Sequence, residues 1–271
     1  QFWIWLGNLA QGDFGTSISR RIGVGSLLLE RLPVTLELAF SALIVALLLG
    51  GAIAISGTLW RRNWASGALD GATGLMLAIP EFVWALGLVL LLGVTFPMLP
   101  LSGRINPSLS TSFVSGFYLF ESILTARFDL AWDLIRHMAM PVLALALPLA
   151  AIIARVLREA LGEAMMQDYV TLARVKGMNE TRLIFSETLR NAIGPTLALA
   201  GVQFTFLIGG TVIVEKIFAY PGLGSMAIDA VINRDFPLIQ GLVLMFGLIF
   251  IIVNLLVDAA IVAFNPRLRH G

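Results

Sequence analysis

EAMMQDYVTLARVKGMNETRLIFSETLRNAIGP, residues 163–195, is the one long charged stretch in a chain that is otherwise mostly apolar. It carries Arg174, Lys176, Arg182 and Arg190 beside Glu163, Asp168, Glu180 and Glu187. On both sides lie apolar runs long enough to cross a bilayer. Asp168 is placed to cap a helix start, because its carboxylate can accept first-turn N–H groups. Gly177 is placed to end that helix in the left-handed conformation. Residues 169–176 then make about two turns, roughly 12 Å. Tyr169, Leu172 and Ala173 recur at i, i+3 and i+4 and share a face. Asn179 is placed to cap a second helix that runs into the apolar span beginning near Asn191. Such a loop either lies on the lipid surface or seats a helix in a partner's groove.

The 271 residues are 58% hydrophobic and 13% charged, against about 25% charged in soluble domains. Water offers no place for that much apolar surface, so the chain reads as an integral membrane protein. The absence of cysteine rules out disulfides and thiolate metal sites. A net charge of +1 gives no case for nucleic acid.

Five runs approach the roughly 20 apolar residues that a spanning helix needs. They are Leu38–Ile55; Ala72–Phe96, interrupted by Pro80 and Glu81; Pro141–Ala154, continued past Arg155; Asn191–Val214; and Pro237–Val257. With Gln1 outside, ten of the eighteen Lys and Arg fall on the inner side, including the whole charged loop. Cytoplasmic excess of these residues is the rule, so the loop is expected in the cytoplasm. Residues 1–33 then form an extracytoplasmic segment, with Trp3, Trp5 and Phe14 suited to an interfacial helix. Phe128–Met138 predicts a short amphipathic helix on the membrane surface. Glu37 is expected to pair locally with Arg31.

Asp168-Tyr169-Val170, Ala173-Arg174-Val175-Lys176-Gly177 and Leu189-Arg190-Asn191-Ala192 with Pro195 resemble the cytoplasmic loop of ABC importer permeases. They are most similar to the dipeptide/oligopeptide branch. The wider family opens this loop with Glu-Ala-Ala. Here Thr171-Leu172-Ala173 stands instead, a departure that the peptide branch shares. Gly12-Asp13-Phe14-Gly15-Thr16-Ser17, Leu101-Ser102-Gly103, Tyr220-Pro221-Gly222-Leu223-Gly224 and Asn265-Pro266-Arg267 extend the resemblance along the whole chain.

The resemblance implies an all-α polytopic membrane protein of the type I ABC importer permease fold, with residues 34–271 as the permease domain. It implies six spans, so the family's first span is expected to be missing from this sequence. It assigns residues 159–190 as the coupling loop. Asp168, Tyr169, Thr171, Leu172, Ala173, Arg174, Lys176 and Gly177 would meet an ATPase. The implied partners are a second, homologous permease, two cytoplasmic ATPase subunits and an extracytoplasmic substrate-binding protein. The implied cargo is a peptide, with glutathione, nickel chelates, opines or oligosaccharides as alternatives.

A P-loop needs Gly-Lys-Ser/Thr. Lys176 precedes Gly177 and Lys216 precedes Ile217, so neither lysine fits. No cofactor is expected on this chain, and ATP and Mg²⁺ are expected on the partner ATPases. HExxH and GxSxG are absent, and Ser225 has no His nearby in sequence, which argues against an enzyme. Ionisable groups inside a membrane are functional candidates. Glu81 therefore either reads a substrate amine or satisfies backbone freed by Pro80 or a neighbouring Arg. Gln203, Phe204 and Phe206 either touch cargo or pack the bundle. Tyr220, Pro221, Gly222 and Gly224 form either an outer gate or receptor contact, or a Pro-Gly turn that caps a helix. An ion-driven secondary transporter is the alternative class. Such proteins often show inverted repeats and broken midplane helices. No repeat is seen here, and Asn191–Val214 and Pro237–Val257 are unbroken.

Overall fold

A computed structural model describes residues 7, 9, 11–60, 64–109, 113 and 115–264, with 258 and 260–264 by backbone alone. Trp3, Trp5 and Asn265-Pro266-Arg267 lie outside the described residues. In hydrocarbon every backbone N–H and C=O must be satisfied within its own segment, and the apolar runs are accordingly helical. Among the described residues there is no strand, and Thr16 and Gly23 form an isolated antiparallel bridge.

The helices are α1 (Val24–Leu59), α2 (Trp64–Ala78), α3 (Glu81–Leu88, extended by a π-helical segment Val89–Thr95), α4 (Tyr118–Leu124) and α5 (Phe128–Ala164). They continue with α6 (Asp168–Val175), α7 (Glu180–Leu183, extended by a π-helical segment Ile184–Thr188), α8 (Leu189–Ile217), α9 (Leu223–Ile232) and α10 (Phe236–Phe264). Among the described residues, four helices or helix runs are long and apolar enough to cross a membrane, and a fifth span results if α2 and α3 count as one broken span.

The Ala72–Phe96 run breaks where Pro80 and Glu81 interrupt it, with a bend of 102° between α2 and α3, because the residue before Pro80 is sterically kept out of the helical region. Two expectations change. Phe128–Met138 is the first part of the 37-residue α5, which continues through Pro141 and buries Leu130 and Leu134. At 1.5 Å per residue that helix is about 55 Å long, well beyond the roughly 30 Å hydrocarbon core. Nor is there a break at residue 33. Helix α1 starts at Val24 and runs through Pro33, carried across by buried Leu27, Leu28 and Val34.

The chain divides into two compact units. Gln1–Ser41, Phe82–Ala144 and Leu207–Ile252 make the first, whose core includes Leu28, Leu38, Leu130, Met140, Phe218 and Leu223. Gly241 lets α10 approach Val24 and Leu28 of α1; a Cβ there would lie 2.5 Å from Val24. Ala42–Glu81, Leu145–Phe206 and Val253–Gly271 make the second. Its core joins Ala54, Leu157, Leu161, Ile184 and Ala192. Gly50 in α1 meets the Ala150 carbonyl and Ile153 of α5, where a Cβ would sit at 2.7–2.9 Å.

Candidate functional site

The charged loop folds within the second unit as a helical hairpin. Gln167 holds the extended N-cap conformation and makes no side-chain cap bond. Asp168 is therefore the first helical residue of α6 and not its cap. Its charge still suits the positive end of the helix dipole. The C-terminal end is a Schellman motif. Gly177 has φ +83°, its N–H donates to the Arg174 carbonyl at 3.0 Å, and the Met178 N–H donates to Ala173 at 3.2 Å. The Asn179 side chain caps α7, accepting from the Arg182 N–H at 2.8 Å.

Two links tie α6 to α7 and α8. Arg174 grips Glu180 with two hydrogen bonds of 2.8 and 3.1 Å. Asn191 at the base of α8 donates to the Tyr169 hydroxyl at 2.9 Å and to the Glu187 carbonyl at 3.2 Å. Between these ties, Val170, Ala173 and Leu183 form a small buried cluster with Met165 and Met178 against it. Ala173 is thus on the inner face with Val170, 100° per residue placing these two together and Leu172 across the axis. The exposed face carries Leu172 at 56% and Val175 at 80% accessibility, flanked by Tyr169 and Met166. Thr171, Arg174 and Lys176 are also exposed.

A second constellation lies in the first unit. The Glu215 side chain is fully buried. It accepts from the Thr35 hydroxyl at 2.7 Å and the Ser225 N–H at 2.9 Å. Thr35 also accepts from the Leu223 N–H at 2.8 Å. A Cβ on Gly222 would collide with the Glu215 carboxylate, and one on Gly224 would come within 2.5 Å of the Val212 Cα. The Pro221 carbonyl accepts from Arg31 at 3.0 Å. Tyr220 is buried, and that burial raises its phenol above the ordinary range and keeps it protonated. The Gly103 N–H donates to the Phe218 carbonyl at 2.9 Å, so Leu101-Ser102-Gly103 and the Tyr220–Gly224 turn belong to one assembly.

Beside it, Glu37 pairs with Arg104 at 2.7 Å in the interior. Arg31 is not its partner and lies 3.6 Å from Glu30. The α4 N-terminus draws Glu37 away, the Leu119 N–H donating to it at 2.7 Å. The Arg104 guanidinium also lies 3.9 Å from the Tyr118 ring centroid.

The remaining candidates are more scattered. Glu81 opens α3 just after the bend, half-buried, and has no hydrogen bond or ion pair with any described residue. Gln203 and Phe204 are partly buried, whereas Phe206 is exposed. Two features have no local pattern by which the sequence could reveal them. One is the Glu215–Thr35 clamp, whose partners are 180 residues apart. The other is Asp235, which gathers the Ser17 and Ser19 hydroxyls at 2.5 and 2.7 Å.

Residues 34–270 match the family described as binding-protein-dependent transport system inner membrane component. The chain belongs to this family. The permease is 36% identical over 275 residues to the di/tripeptide transport system permease protein DppB of Pseudomonas aeruginosa (strain UCBPP-PA14), covering all of this chain and 80% of that protein. It is 35% identical over 276 residues to the glutathione transport system permease protein GsiC of Salmonella typhi, covering all of this chain and 79% of that one. Its fold matches a chain of the MetNI methionine ABC transporter with a TM-score of 0.67 at 13% identity, over 88% of this chain and 96% of that one. It also matches an amino acid ABC transporter with a TM-score of 0.58 at 19% identity, over 86% and 92%. The permease is therefore a multi-pass membrane component of a binding-protein-dependent transport system, and it has the fold of ABC importer permeases.

Proposed function

We propose that the permease imports di- or oligopeptides across a bacterial or archaeal cytoplasmic membrane, with α6 as the helix that an ATPase subunit grips. The observation that carries this reading is the exposed apolar face of Leu172 and Val175 on a helix anchored at both ends. An unanchored loop would absorb a push; a capped helix tied to Asn191 and Glu180 passes it into α8. The ATPases supply ATP and Mg²⁺ chemistry, since Lys176 and Lys216 lack the P-loop context. A second, homologous permease completes the pathway, and a substrate-binding protein delivers cargo on the face opposite the loop. The similarity to a di/tripeptide permease supports peptide cargo. Glutathione is the second reading, because a glutathione permease is nearly as similar and glutathione is itself a modified tripeptide.

The test separates the two faces of α6. Leu172→Asp and Val175→Asp place charge in the docking contact. Each is expected to cut ATP-driven peptide uptake by proteoliposomes at least about tenfold and to weaken co-purification of the ATPase. The Tm of the permease should stay the same. Ala173→Asp buries a charge against Val170 and Leu183 and is expected to lower the Tm as well. Full coupled uptake by both exposed-face variants would overturn the docking role.

A further inference from the structure

The second unit contains a cavity of about 310 Å³ walled by α1, α2 and α5. Its lining combines small or apolar residues, Ile53, Gly74 and Ala154, with the charged Asp70, Arg155, Arg158 and Glu159. Arg158 is already committed. It pairs with Asp70 and donates to the Ser66 hydroxyl at 2.5 Å and the Gly57 carbonyl at 3.5 Å. Arg155 and Glu159 are not. Both are exposed, and neither makes a hydrogen bond or ion pair with any described residue. They stand four residues apart on α5, hence on one face, about 6 Å apart at their Cβ atoms.

We infer that this cavity holds the headgroup of a phospholipid carrying both a phosphate and a primary ammonium. Arg155 is the first charge after the apolar run that ends at Ala154, so the wall passes from hydrocarbon to headgroup chemistry at this level of the helix. Cavities with arginine between spanning helices are suited to lipid phosphates. The charge balance selects among lipids. Two guanidinium groups and two carboxylates cancel, so a multiply anionic headgroup would leave an uncompensated negative charge. A phosphate against Arg155 and an ammonium against Glu159 leave none. A quaternary ammonium has no N–H to donate to Glu159, which favours phosphatidylethanolamine over phosphatidylcholine. Gly74 has no heavy atom within 4 Å of where its Cβ would stand, leaving the α2 side open to an acyl chain.

The test uses the assembled transporter purified from nanodiscs of phosphatidylethanolamine or phosphatidylcholine, with retained lipid read by native mass spectrometry. The wild type is expected to retain phosphatidylethanolamine at least about tenfold better than phosphatidylcholine. Arg155→Gln is expected to lower retention of both lipids, which share the phosphate, and Glu159→Gln to lose the preference between them. Because neither side chain has a partner among the described residues, both variants should keep the wild-type Tm, which separates loss of the site from loss of the protein. Equal retention of the two lipids, or wild-type retention by both variants, would overturn the assignment. So would binding of soluble phosphoethanolamine with no lipid mass, which would make the ligand a cytoplasmic phosphate compound. The readout needs no ATP turnover, so its failure is distinguishable from failure of α6 docking.

Discussion

At Gly177 the backbone φ is +83° and nothing lies within 4 Å of where a Cβ would be. At Gly222 the φ is −99°, open to any residue, but the Glu215 carboxylate occupies the space. The first glycine answers a conformational demand and the second a steric one, so the two respond differently to alanine. Gly177→Ala forces an L-residue into the left-handed region at a cost of about 1 kcal/mol, and the α6–α7 turn can absorb it. Gly222→Ala must displace a buried carboxylate from Thr35 and Ser225, costing about 1–3 kcal/mol of strain besides the hydrogen bonds that it breaks. Thermal unfolding in detergent is expected to show the larger drop for Gly222→Ala. Equal or reversed drops would mean that the Glu215 clamp is not tight. Adding Glu215→Ala should relieve part of the Gly222→Ala strain, because it removes the atoms that the new methyl meets.

Among the elements, the α6–α7 hairpin was the most legible in the sequence, because its signals are local: Gly177 as C′, Asn179 as cap and the apolar spacing of α6. The assignment of Ala173 to the docking face went wrong because spacing alone cannot say which side of a short helix its neighbour covers. Leu183, ten residues on, decides it. The apolar runs and the break at Pro80 were legible in the sequence, but the length of α5, which continues unbroken through Pro141, was not. The N-terminal element was the least legible. Its Gly12–Ser17 motif is held by Asp235, to which the Ile18 and Ser19 N–H groups donate at 3.2 and 3.0 Å. Burial works against the charge on Asp235, but these bonds and those of the two serine hydroxyls outweigh it and hold the carboxyl well below the usual range. A depressed folded-state pKa stabilises above the unfolded value of about 3.9. That contribution shrinks as pH falls below about 4 and is gone once pH passes the folded value. Protection of the Ile18 and Ser19 amides from hydrogen exchange, corrected for intrinsic rates, should therefore be flat from pH 7 to 5 and fall below pH 4. Asp235→Asn should lower it already at pH 7 and remove most of the acid dependence. Wild-type protection in the variant would show that the segment is held by something else.

For the whole molecule, the docking face and the cargo are separable problems. In the proposed reading, the exposed face of α6 and its ties to Asn191 and Glu180 concern how force enters and not which solute is read. The intramembrane candidates offer little chemistry with which to read one. Glu81 is a single carboxylate, and Phe206 is an exposed ring on α8. Recognition of a peptide's ends and side chains needs several convergent polar groups in a pocket, which points to the substrate-binding protein as the place where cargo is chosen. Cargo should therefore travel with the binding protein. Proteoliposomes containing the complete transporter, supplied with ATP inside and with either a dipeptide-specific or a glutathione-specific binding protein engineered to dock, are expected to import whichever ligand that protein carries. An ionophore should leave uptake unchanged, whereas a catalytically dead ATPase should abolish it. Uptake that collapses with the ion gradient would instead revive the secondary-transport reading. If the permease accepts one cargo and refuses the other from an equally well-docked binding protein, a selective filter must lie in the pathway. Glu81→Gln and Phe206→Ala are then the variants expected to widen it, because these side chains present the charge and the free ring that a passing solute would meet.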